Sequence, residues 1–169
     1  MKKPYAIAIV GNSGAGKTTL LEQLIPALKR KGLRVGGIKH DAHRFDIDHP
    51  GKDSHRLTAA GADTMMITSA EKLAMVKRHA GSPPSEELIE RYFSDMDLVL
   101  VEGFRGSSLP KIEVHRKEFR RALICRGERN DPNLAAVASD EPLDVDVPVL
   151  VLNDPGAIAE FIASLRRHS

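Results

Sequence analysis

The octapeptide Gly11-Asn12-Ser13-Gly14-Ala15-Gly16-Lys17-Thr18 constrains this chain more than any other feature, because it has the spacing G-x-x-x-x-G-K-[ST] of a phosphate-binding loop. Such a loop works only between a strand and a helix. Residues 5–10 form an apolar run that reads as a buried strand, and after Lys17 the residues Leu20, Leu21, Leu24, Ile25 and Leu28 recur at helical spacing. The glycines let backbone amides turn inward around an anion, and the helix start adds its positive end. Lys17 carries charge to terminal phosphates and Thr18 offers a hydroxyl to Mg²⁺. The motif predicts nucleotide binding without naming the base.

A loop of this kind pairs with an acid at the end of a neighbouring strand. Asp97-Leu98-Val99-Leu100-Val101-Glu102-Gly103 supplies one, with Glu102 at the end where the strand leaves the sheet and Asp97 at the opposite end. Lys17 and Glu102 are therefore the candidate catalytic groups, and Thr18 and Glu102 the candidate metal ligands.

Short apolar runs alternate with helical patterns along the chain, which predicts an α/β fold: a mostly parallel sheet flanked by helices. The 169 residues are expected to form a single domain. Further strands are expected at residues 34–38, 64–68 and 97–102, and helices at 53–60 and 86–93. Pro26 is expected to kink or break the first helix. Residues 111–115, 121–125, 134–138 and 148–152 are strand candidates so crowded that some are expected to pair apart from the main sheet, as extra short strands of the C-terminal half. A last helix starts after Asp154, a good N-cap, with Pro155 at its first position.

Composition excludes several functions. Lys+Arg of 25 against Asp+Glu of 23 leaves a net charge of +2, and Trp is absent, so neither a broad basic surface nor a base-stacking platform for nucleic acid is available. The apolar runs are far shorter than the roughly 20 residues of a membrane helix. A single cysteine, Cys125, makes no intramolecular disulfide, and the N-terminus shows no cleavage signal, so a cytoplasmic protein is expected. Cys125 itself reads as a small buried hydrophobe.

Residues 39–55 carry four of the seven histidines with several acids and cations after a strand. One reading is metal binding by His40 and His43 with His49 or a carboxylate. Another is an anion-binding loop in which Lys39, His40, Arg44 and Lys52 face phosphates while Asp46, Asp48 or Asp53 orient them. A solvated polar loop is the third. Asn153 and Asp154 close a late strand, where they are base-contact candidates or simply a helix cap. The cationic stretch from Arg116 to Arg121 is either a lid or, as its spacing indicates, a strand connection.

Taken together, the loop with Thr18-Thr19, then Ile38-Lys39-His40, Asp46-x-Asp48-x-Pro50-Gly51-Lys52-Asp53-Ser54, Ala60-Gly61-Ala62 and Val101-Glu102-Gly103-Phe104 resembles the molybdopterin-guanine dinucleotide biosynthesis adapter proteins, the MobB family. Ala136-Val137-Ala138-Ser139-Asp140 and Asn153-Asp154 look similar near the C-terminus. The resemblance implies a P-loop, GTP-binding homodimer that assists a guanylyltransferase in attaching GMP to molybdopterin, with weak GTP hydrolysis at most. By position it implies that Gly11 to Thr18, with Thr19, hold the GTP phosphates and Mg²⁺, and that Lys39, His40, Asp46, Asp48 and Lys52 line the site. Asp41 and Ala42 depart from the residues usual after Lys-His, and Arg105 stands where the family tends to have Lys and keeps an anion role. No [NT]KxD element for guanine is present. The strands around residues 111–125 are expected to brace the dimer, and residues 39–54 to take the phosphate of molybdopterin. Rival readings are a small-molecule kinase, an ATP-dependent ligase of the dethiobiotin synthetase type, and a histidine metallochaperone.

Overall fold

The computed structural model describes residues 3–40, 45–127 and 130–168. The chain divides into two compact units, residues 1–40 with 84–169, and residues 41–83. The first unit opens with β1 (Tyr5–Gly11), α1 (Lys17–Arg30) and β2 (Val35–Lys39). The second contains α2 (Asp53–Ala59), β3 (Thr64–Thr68) and β4 (Leu73–Lys77). The first unit resumes with α3 (Ser85–Tyr92), β5 (Leu98–Glu102), β6 (Lys111–His115), β7 (Leu134–Ser139), β8 (Val149–Val151) and α4 (Pro155–Arg167).

Six strands form one sheet in the order β2-β5-β1-β6-β7-β8, and every pairing in it is parallel. A parallel sheet is covered on both faces, so its strands are apolar throughout. In β1, Ile7 and Ile9 join one apolar cluster with Leu24 and Leu28 of α1 and Ile158 and Ile162 of α4. Ala6, Ala8 and Val10 point the other way, into a second cluster with Ile89 of α3 and Val99 and Val101 of β5. This is the α/β architecture expected from the alternating runs.

Four local expectations are corrected. Of the kink or break expected at Pro26, the break does not occur: α1 continues to Arg30, with Leu24, Ala27 and Leu28 buried on either side of the proline. The late strands β6, β7 and β8 all extend the main sheet, and β6 is paired on both sides, so it offers no free edge to brace a dimer. Residues 121–125 form no strand: the amides of Ile124 and Cys125 donate instead to the Glu113 carboxylate, at 2.6 and 2.8 Å. The separate antiparallel pair is β3–β4, in the middle of the chain, where β4 was not expected. Its turn is closed by Ser69 Oγ, which accepts the amides of Glu71 and Lys72 at 3.2 Å each. The expected cap of the last helix is present, with Asp154 accepting the amide of Ala157 at 2.9 Å.

The second cluster also encloses Cys125, whose thiol is pushed up to about 12 by burial and by the neighbouring Glu113 carboxylate. Such a thiol is inert. At the start of β6, Lys111 is fully buried and its Nζ donates to the carbonyls of Ser107 and Leu109 and faces Asp131 at 3.1 Å. Removing one partner of a buried pair leaves an uncompensated charge, whereas removing both does not. Asp131→Ala is therefore expected to lower stability by about 3 kcal/mol in chemical denaturation, and adding Lys111→Met to recover most of that loss.

Candidate functional site

The first strand delivers the chain to the C-terminal edge of the sheet at Gly11, beside β6. A Cβ on Gly11 would lie 2.6 Å from the carbonyl oxygen of Val114, so no larger residue fits there. The loop then turns on itself, with the amide of Ala15 donating to the carbonyl of Asn12 at 3.2 Å. Gly16 enters the helix at φ 89°, in the left-handed region that favours glycine. No side chain caps this helix start. Its first amides are thus open to an anion, with the helix dipole behind them.

Three cations converge on the loop. Lys17 Nζ donates to the carbonyls of Gly11 and Asn12 at 3.1 and 2.9 Å, and Arg105 Nη2 donates to the same Gly11 carbonyl at 3.1 Å. Lys39, at the end of β2, stands 3.8 Å from Glu102. Burial holds the Lys17 ammonium below its usual value; Arg105 and Lys39 push the same way, and Glu102 opposes them. Thr18 Oγ1 lies 3.1 and 3.2 Å from the two carboxylate oxygens of Glu102 and donates to them. A hydroxyl and a carboxylate in contact are hard oxygen donors of the kind Mg²⁺ takes, and the cations with the open amides suit the phosphates it accompanies.

Among the expected residues, Lys17, Thr18, Lys39, Glu102 and Arg105 come together here. His40 sits at the rim, its amide bonded to the Glu102 carbonyl at 2.9 Å and its ring 4.3 Å from that of Phe104. Ser13 and Gly14 are exposed on the loop, Asn12 and Gly16 are half-buried, Ala15 is buried, and Thr19 is exposed one position further along the helix. Asp46, Asp48 and Lys52 belong to the second unit. There Asp48 accepts the His49 amide at 2.8 Å and the Ser54 hydroxyl at 3.1 Å, while Asp46 and Lys52 are exposed. His43 and Arg44 lie outside the described residues, and among the described ones no three His, Cys, Asp or Glu side chains gather as a metal site. Asn153 lines a 330 Å³ pocket with Ser139 and Glu141 at the ends of β7 and β8. Arg116 and Phe119, which read as part of a strand connection, touch the loop itself; only the run of cations after β6 pointed to them.

Comparison with known proteins identifies the family. The family model described as molybdopterin guanine dinucleotide synthesis protein B matches residues 6–140. The molybdopterin-guanine dinucleotide biosynthesis adapter protein of Escherichia coli K12 is 41% identical, over 92% of this chain and 90% of that protein. Its counterpart in Haemophilus influenzae is 38% identical over 96% of this chain and 89% of that protein. The crystal structure of Bacillus subtilis MobB superposes with a TM-score of 0.75 at 28% identity, covering 95% of this chain and 96% of that one. A crystal structure of molybdopterin-guanine biosynthesis protein B gives 0.69 at 34% identity, over 96% and 99%. With the family model spanning most of the chain and the relatives matched nearly end to end, this chain belongs to the MobB family.

Proposed function

We propose that the chain binds a guanine nucleotide with Mg²⁺ at the loop from Gly11 to Thr18 and acts as an adapter in the attachment of GMP to molybdopterin by a guanylyltransferase. The observation that carries the nucleotide reading is the convergence of Lys17, Arg105 and Lys39 on a loop whose carbonyls are taken and whose helix amides are open. The adapter reading comes from the relatives, which are named for that role. Mg²⁺, when bound, neutralises phosphate charge and orients the terminal phosphates. Around it Thr18 and Glu102 supply oxygen donors, Lys17 and Arg105 supply charge, and Lys39 holds Glu102 in place. Within the second unit, Lys52 is proposed to take the phosphate of molybdopterin, with Asp46 and Asp48 orienting it, while His40 is proposed as a further ligand at the rim of the loop in the first unit.

The base rests, in this reading, toward the pocket beside Asn153, two strands along the same sheet edge from β6. Hydrolysis is slow at most, and the protein works in the cytoplasm as a homodimer. None of the helices among the described residues is long and apolar enough to cross a membrane.

Calorimetric titration in Mg²⁺ is expected to show tighter binding of GTP than of ATP, and Lys17→Ala to abolish it in a chain that still melts cooperatively. Preference for ATP with fast phosphoryl transfer to a small acceptor would instead indicate a kinase or ligase. Glu102→Gln keeps the shape of the side chain but loses its charge, so the affinity gained on adding Mg²⁺ should shrink while Mg²⁺-free binding persists. Equal losses in both conditions would make Glu102 structural. Light scattering at micromolar concentration should give twice the chain mass of 18.5 kDa; the monomer mass would refute the dimer.

A further inference from the structure

Residues 116–122 lie against the phosphate loop, although none of the proposed ligand roles falls to them. Arg116 leaves the end of β6, and its Nε donates to the carbonyl of Ala15 at 3.2 Å. The guanidinium also packs on Gly16, where a Cβ would stand 3.2 Å from both Nε and Nη2. The ring of Phe119, in the 3₁₀ turn Lys117–Phe119, packs on Gly14, where a Cβ would meet it at 3.4 Å. Asn12 reaches across to donate to the carbonyl of Ala122 at 3.4 Å. One short segment thus touches four residues of the loop.

The segment is itself anchored on the end of β7. One oxygen of Asp140 accepts the amide of Lys117 at 2.9 Å, and the other faces Arg116 Nη1 at 3.7 Å. Arg116 therefore bridges the phosphate loop at Ala15 and the residue that follows β7.

The chemistry of the bridge follows from peptide geometry. In a planar trans peptide the C=O of one residue and the N–H of the next point in opposite directions. Drawing the Ala15 oxygen toward Arg116 therefore turns the Gly16 N–H to the other side. Ala15 is only 2% exposed, so without Arg116 a buried carbonyl loses its charged donor. The carbonyls of Gly11 and Asn12 are already bound by Lys17, and that of Gly11 by Arg105 as well. Arg116 extends this arrangement to the last turn of the loop, where the helix begins.

We propose that Arg116 is a positioning residue for nucleotide binding: held by Asp140, it fixes the Ala15–Gly16 peptide so that the loop is preformed for phosphate. This rests on the reading that the loop binds a nucleotide, and the experiment separates the two. Wild type and Arg116→Ala are titrated with GTP, with and without Mg²⁺, and the Gly16 amide is followed in ¹H–¹⁵N spectra. The variant is expected to bind about ten-fold more weakly or worse, the loss of one hydrogen bond to a charged group. The factor should be the same with and without Mg²⁺, and the downfield shift of the Gly16 amide on nucleotide addition should be lost. Arg116→Lys should recover part of the affinity, since one ammonium can reach the Ala15 carbonyl but cannot span to Asp140 as well. A purely structural residue would lower the melting temperature and leave affinity and amide shift unchanged in the folded fraction, and that result overturns the proposal. If Arg116→Ala does not fold, Arg116→Lys is compared with Phe119→Ala: the lysine variant must lose more affinity, and the reverse order overturns the proposal. Absence of nucleotide binding in the wild type would overturn the nucleotide reading and this one with it.

Discussion

The parallel pairing of β1 with β5 on one side and β6 on the other is the constraint on which the site depends. In that register Ile9 lies opposite Glu102, and Gly11 opposite Val114. All three strands therefore end on one edge of the sheet, the edge where ligands of open α/β folds bind. Thr18 and Glu102 are 84 residues apart along the chain and in hydrogen-bond contact in the fold. The register holds because both faces of β1 are buried, Ile7 and Ile9 on one side and Ala8 and Val10 on the other. A slip by one residue would exchange the two sets and carry the loop away from the acid.

At that edge the electrostatics follow from which backbone groups are already occupied. Cations bind the carbonyls of Gly11, Asn12 and Ala15, and the helix start carries no side-chain cap. What remains unoccupied at the turn is N–H groups and positive charge. Lys17 bears the strain of this, since burial and two neighbouring cations all oppose its charge and Glu102 alone favours it. A polyphosphate would relieve that opposition, which is the physical reason such a cluster suits an anion better than a neutral ligand.

Much of this was readable in the sequence because the signals are local. The phosphate loop needs a fixed spacing of glycines, and residues 5–10 and 98–102 are apolar runs that a buried parallel strand requires. The Asp154-Pro155 helix start is local as well. The missed features depend on distant partners. Residues 121–125 have the composition of a strand, yet Glu113 takes the amides that a neighbouring strand would need. Pro26 breaks a rule of isolated helices, and burial of its helical neighbours overrides it. The hairpin β3–β4 is closed by a serine turn that lacks the usual Asn-Gly signal.

The sequence by itself determined the fold class, the glycine-rich turn between β1 and α1 with Lys17 and Thr18 at its end, the strand-end position of Glu102, and, through its motif strings, the family. Each rests on local signals, spacings and apolar runs that are read within a few positions at a time. Tertiary structure alone decided that Glu102 meets Thr18, that Lys39 and Arg105 join Lys17, and that Arg116 and Phe119 brace the loop from outside. Those contacts join strand ends separated by tens of residues, so they exist only once strand order and register are set. Strand order comes from long-range pairing, which leaves no periodic trace in the sequence.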